Sequence, residues 1–231
     1  MTQFVFALFF FLVSHAAPAR PAVREWLRRL LGPRTYLLLY SLVSILLLGW
    51  LIRSAAQAPF IPLWTLTLGQ YWVPILIMPI AFFLLIAGAV SPNPLSISFS
   101  PRGFDADRPG IVGVTRHPIL WALALWSFSH VVPNGDLVSL IMFGGFGLFA
   151  LSAIRAIDRR KARALGARWT DLASRTSAWP FAALLADRAS WRWPKGLLSI
   201  SLGVAIGSYC AMLWLHPILF GPDPKIAFLS L

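Results

Sequence analysis

The chain has 231 residues, of which 58% are hydrophobic and 12% charged, with a mean hydropathy of +0.73. That composition leaves too little polar surface to cover a water-soluble domain, so the chain reads as a membrane protein. Eleven Trp and 17 Phe exclude a disordered chain, and long apolar runs without period-two alternation exclude an outer-membrane barrel. Helices remain as the spanning element. The single cysteine, Cys210, excludes an intramolecular disulfide framework and a thiolate zinc cluster.

Six apolar segments follow in chain order: Phe4 to Ala17, Tyr36 to Ile52, Tyr71 to Val90, Ile119 to Val132, Leu137 to Ile154, and Leu197 to Leu215. The predicted fold is therefore an all-α polytopic membrane bundle of about six transmembrane helices, forming one domain over residues 1–231. The first and fourth segments are short and call for tilting or local thinning of the bilayer. No Lys or Arg precedes Arg20, whereas a secretory signal carries positive charge ahead of its apolar core, so the first segment is expected to stay as a helix.

The formal charge of +12 is a topology signal. Of the 20 Lys and Arg, 18 lie in residues 18–35, 91–118 and 155–196, and only Arg53 and Lys225 fall elsewhere. The positive-inside rule places those three stretches in the cytoplasm and both termini on the opposite, periplasmic side. Orientation accounts for the basic residues, so the lipid bilayer is the expected partner and nucleic acid is not.

Between the segments, Pro18 and Pro21 break the chain, and Arg24, Trp26, Leu27, Leu30 and Leu31 are spaced for a short amphipathic helix ended by Gly32 and Pro33. A helix lying on anionic headgroups and a plain solvated connector are both compatible with this spacing. Pro74 and Pro79 predict a kink in the third span. The Pro- and Gly-rich stretch 91–110 predicts a long loop. The stretch Ile157 to Gly166 reads as a helix end running into a basic loop, an anchor first and a phosphate site second. Gly144, Gly145 and Gly147 give the fifth span a small face for helix packing.

Ionisable groups are costly inside a bilayer, which directs attention to the four histidines, His15, His117, His130 and His216. Neutral imidazole is the cheapest strong metal ligand to bury and suits haem iron or copper. For each, the competing reading is a hydrogen bond to a serine or a backbone carbonyl. His216, followed by Pro217, reads as a helix-end cap. Arg116, His117 and Pro118 open the fourth span, with Pro118 suited to the first helical turn and Thr115 or His117 to its cap. Arg116 and His117 can hold an anion such as a haem propionate or lipid phosphate, or else anchor the interface.

The run TRHPILWALALWSFSHVVPNGDLVSLIMFGGFGLFALSAIRAIDRR, from Thr115 to Arg160, resembles the NnrU membrane protein family, as do His15 with its Pro/Arg-rich turn and YLLLYSLVS at residues 36–44. The likeness covers most of the chain. It implies a bacterial inner-membrane protein that supports nitrite and nitric oxide reduction in denitrification, with denitrification enzymes or a lipid-soluble substrate as partners. The family is also related to a plant 15-cis-zeta-carotene isomerase that uses haem b. That relation implies haem b as cofactor, His15 and His130 as its iron ligands, and Arg116 and His117 as further cofactor-binding residues. Where the isomerase has a cysteine three residues before its second ligand, this chain has Ser127.

Depth sets a constraint on that pair. Counted from the cytoplasmic ends of their helices, His15 lies about 9 Å and His130 about 18 Å deep at roughly 1.5 Å per residue, which makes His15 with His117 the alternative pair. A more distant likeness links Arg116, His117, Trp169 and Pro180 to isoprenylcysteine carboxyl methyltransferases. Those enzymes carry a glutamate pair, whereas Glu25 is the only glutamate here and Asp158 stands near the expected place beside Arg159. Methyl transfer is not expected. Three functions stay open: a haem-binding accessory factor, a polyene isomerase, and a structural membrane factor without a cofactor.

Overall fold

Long runs of Leu, Ala, Phe and Ile favour helix, and in lipid every backbone amide must be satisfied within its own segment. The computed structural model accordingly is 71% helical, with no strand among the described residues, which are 1–18 and 20–230 without the side chain of Ser230. Ten α-helices are described: α1 (Thr2–Ala16), α2 (Pro21–Leu31), α3 (Pro33–Ala56), α4 (Trp72–Val90), α5 (Ile111–Val114), α6 (Pro118–Val131), α7 (Leu137–Leu165), α8 (Ala167–Ser174), α9 (Ala182–Leu185) and α10 (Leu197–Phe220). Helix α4 is preceded by a 3₁₀ turn at Leu68–Tyr71, and a second such turn spans Pro224–Ser230.

Among the described residues, four helices are long and apolar enough to cross a membrane: α3, α4 extended back to Leu68, α7 and α10. A fifth span arises if α1 and α2, bent by 84° at their junction, are counted together. Helices α1 and α6 have 15 and 14 residues, about 22 and 21 Å, short of a hydrocarbon core of roughly 30 Å. These are the first and fourth apolar segments of the sequence. The chain is thus a multi-pass membrane protein, and its outward faces agree: Leu38, Ile45, Trp214 and Ile218 are among many large apolar side chains left bare.

The chain divides into two compact units. The first comprises Met1–Trp64 and Asp136–Met142. In it α1 and α2 each pack on α3, burying Phe4, Ala7 and Leu51. Helix α2 confirms the amphipathic spacing: Trp26 and Leu30 are exposed along one side and Glu25 pairs with Arg29 at 3.1 Å. Gly32, at φ +75°, serves as C-cap of α2 and N-cap of α3, a backbone conformation that a side chain disfavours. Leu137 N–H donates to Ile61 O at 3.0 Å, and Asp136 Oδ1 accepts from Val138 and Ser139 N–H at 3.0 Å, capping the start of α7.

The second unit comprises Thr65–Gly135 and Phe143–Leu231. Helix α4 packs between α6 and α10, and Leu84 and Ala87 of α4 join Ile111, Val112, Val114 and Ala122 in its core. The approach of α4 to α6 depends on Gly88, where an added Cβ would meet Pro118 Cγ at 2.8 Å and Ile119 Cγ1 at 2.9 Å. Of the small residues expected to line α7, Gly147 closes on the Phe128 ring, whereas Gly145 meets nothing within 4 Å.

Several expectations need correction. Helix α4 runs from Trp72 to Val90 with Pro79 inside it, whereas Pro74 sits in its first turn, where the missing N–H goes unused, so of these two prolines Pro79 alone falls in the helix interior. Helix α7 continues 11 residues past Ile154 through the basic stretch, because Arg, Lys, Ala and Leu are all strong helix formers. Pro118 does open α6, but no side-chain bond caps it; Thr115 Oγ1 accepts from His117 N–H at 3.3 Å and donates to Ala178 O at 2.9 Å.

Candidate functional site

The start of α6 carries a buried polar cluster within the second unit. His117 is fully buried, with Nε2 2.7 Å from Asp158 Oδ1 on α7 and Nδ1 2.8 Å from Ser96 Oγ in the 91–110 loop. A carboxylate only accepts, so Nε2 carries the hydrogen; in the neutral ring Nδ1 then accepts from the Ser96 hydroxyl. Arg116 grips the same carboxylate through Nη2 at 2.9 Å and Nε at 3.2 Å, donates from Nη1 to Thr176 O at 3.3 Å, and lies over the Trp169 ring at 5.3 Å. Asn93 Nδ2 donates to Arg116 O at 2.9 Å.

One carboxylate thus serves a guanidinium and an imidazole, and one arginine charge balances one aspartate charge. Such a cluster is stable while complete and costly once a partner is lost. It ties the 91–110 loop, the start of α6, the last third of α7 and the segment after α8 together. Backbone bonds continue the seam, from Arg116 N–H to Ser177 O and from Phe181 N–H to Val114 O, both at 2.8 Å.

His130 lies near the other end of α6 in an aromatic setting. Its Nδ1 is 2.7 Å from Trp126 O, one turn earlier, and the Trp126 and Phe143 rings sit 5.8 and 5.4 Å away by centroid. Beyond them lies the His216 ring of α10, 6.5 Å from His130. His216 Nδ1 is 2.8 Å from Pro222 O past the helix end, so α10 runs through Pro217 to Phe220 and His216 fastens the exit instead of ending the helix. Ser127, at the isomerase's cysteine position, is fully buried and its hydroxyl has no hydrogen-bond partner among the described residues.

His15 belongs to the first unit. Its Nδ1 is 2.8 Å from Phe11 O, again one turn earlier, and the Phe11 and Tyr40 rings flank it at 4.3 and 5.9 Å. A carbonyl oxygen only accepts, so His15, His130 and His216 each carry a hydrogen on Nδ1, and in the neutral ring the lone pair is then on Nε2. In His117 both ring nitrogens are engaged inside the protein.

The sequence-derived candidates therefore separate into three places. Arg116 and His117 stand together and hold a carboxylate, Asp158, supplied by the chain itself. His130 stands apart from them with His216, and His15 lies in the other unit. Among the described residues no group of three or more His, Cys, Asp or Glu is placed to hold a metal ion. Ser96 and the partnership of Asp158 with His117 were missed. Asp158 is the only acidic residue in α7, set within a run of Arg and Lys, and that rarity was the available signal.

Outward apolar helices, a basic side knit by one buried ion-pair cluster and histidines set in aromatic surroundings define a polytopic all-helical membrane protein. The profile of the NnrU protein family matches residues 3–224, nearly the whole chain and both of its units, and the chain belongs to that family. No curated protein and no solved structure shows a significant match to it.

Proposed function

We propose that this NnrU family protein is a haem b-binding, redox or nitric-oxide-responsive accessory factor in denitrification, set in the inner membrane with both termini periplasmic. One observation carries the haem reading. His15 and His130 each place Nδ1 on the carbonyl one turn earlier, which is how a histidine presenting Nε2 to a metal is usually oriented. The donor set fits the group: neutral imidazoles among Phe, Tyr and Trp rings suit the iron and the flat apolar macrocycle. His15 and His130 are the axial ligands that the isomerase resemblance implies. When bound, haem would supply one-electron redox chemistry and a centre for small gaseous ligands. The protein's part is to fix the tautomers and keep water from the iron.

A visible absorption spectrum of the detergent-purified protein tests the reading, with a Soret band as the expected result. A colourless protein that takes up no added haemin sinks it. A haem-loaded protein that isomerises a cis-polyene would move the assignment from accessory factor to isomerase. Reporter fusions test the orientation: activity is expected to be cytoplasmic after Ala173 and periplasmic at Leu231, which lies outside the described residues. The opposite pattern, or both ends on one side, breaks the topology.

A further inference from the structure

His130 lies about 18 Å along α6 from the start of the helix at Pro118. Within its own unit, a second imidazole does reach it. The His130 and His216 ring centres are 6.5 Å apart and their planes differ by 23°. Each ring is fixed from behind, His130 by Trp126 O at 2.7 Å and His216 by Pro222 O at 2.8 Å. Each Nδ1 therefore carries a hydrogen, in the neutral rings both lone pairs are on Nε2, and neither Nε2 has a hydrogen-bond partner among the described residues.

Two neutral imidazoles in this tautomer cannot hydrogen-bond to each other through Nε2, because neither nitrogen has a hydrogen to give. What such a pair can share is an electron-pair acceptor such as a metal ion, or a water that donates to both. A metal about 2.0–2.1 Å from each nitrogen places two ring centres roughly 5–6.5 Å apart, from the tetrahedral to the trans arrangement. The observed separation falls at the upper end of that range. Trp126, Phe143 and Phe220 stand 5.0–5.8 Å from one or other ring and give the pair an aromatic surround.

We propose that His130 and His216 are the two protein ligands of one transition-metal centre, a haem iron or a copper(I) ion, with His216 and not His15 as the partner of His130. In its haem form this rests on the function proposed above and changes its second ligand. In its copper form it is independent of that function.

The test uses the full-length protein in detergent, with His15→Ala, His130→Ala, His216→Ala and His216→Gln. The Gln variant keeps an amide donor for Pro222 O, and size-exclusion profile and far-UV circular dichroism confirm that each variant is folded. If the wild type carries haem, His216→Ala and His216→Gln are expected to turn a six-coordinate low-spin spectrum into a high-spin one while His15→Ala leaves it unchanged. A low-spin spectrum that survives both His216 changes, or one that His15→Ala abolishes, overturns the proposal. If the wild type shows no Soret band, the haem reading fails by itself and copper(I) decides. One equivalent held against a chelator, at least tenfold more weakly in His130→Ala and both His216 variants but not in His15→Ala, upholds the pair. Absence of copper(I) binding as well, or binding indifferent to His216, overturns it.

Discussion

Two ends of one short helix hold histidines in opposite states. At the start of α6, His117 has both ring nitrogens committed, one to Asp158 and one to Ser96, and no exposed surface. Near its end, His130 commits one nitrogen to a carbonyl and keeps the other. The first arrangement is closed: every strong donor and acceptor around it is matched from within the chain, so its work is to hold segments together. The second is open, and an outside ligand can complete it. A histidine in a membrane helix is thus structural or functional according to how many of its nitrogens the chain itself satisfies.

The comparison breaks most readily at Asp158. Asp158→Ala leaves Arg116 and His117 facing a partly buried gap and is expected to destabilise the detergent-solubilised protein by about 2–3 kcal/mol, read as a clear drop in thermal midpoint. Adding Arg116→Ala should recover part of that loss, since it removes the orphaned charge. An unchanged midpoint in Asp158→Ala would show that the cluster does not fasten the unit. Ser96→Ala comes next. It strips one hydrogen bond from a fully buried imidazole, and about 1–2 kcal/mol is expected in the same melt.

His216→Gln, measured without metal, should cost the least, within about 0.5 kcal/mol, because the amide can still reach Pro222 O. A loss at His216 as large as that at Asp158 would erase the distinction, making both histidine sites structural. Conversely, a gain in thermal midpoint on adding copper(I) or haemin, present in the wild type and absent in His216→Gln, would sharpen it, since a ligand stabilises only the state that binds it.

The helices were legible because apolar runs and proline positions are local signals. Every apolar segment became a helix, and α2 could be read from the alternation of Arg with Trp26 and Leu30. The end of α7 was misplaced because hydropathy stops at Ile154 while helix propensity does not; the stop comes at Gly166, at φ +54°. The cluster's members could be named in part, Arg116 and His117 from their position before Pro118, but not their partners. Asp158 lies 42 residues from Arg116, and nothing in local spacing announces that they meet. The approach of His216 to His130 was illegible for the same reason: it depends on how α4 packs with both α6 and α10, and neither histidine carries a periodic mark.

Gly88 carries a consequence for genetics. It touches no polar group, yet any side chain there would strike Pro118, the residue that follows the Arg116–His117 pair. A bulky replacement must push the start of α6 away from α4, and with it the two residues that reach Asp158. In a random screen for lost function, Gly88 should therefore score beside Asp158 and His117 despite having no chemistry of its own. A compensating change to a smaller residue at Pro118 or Ile119 should appear among its suppressors.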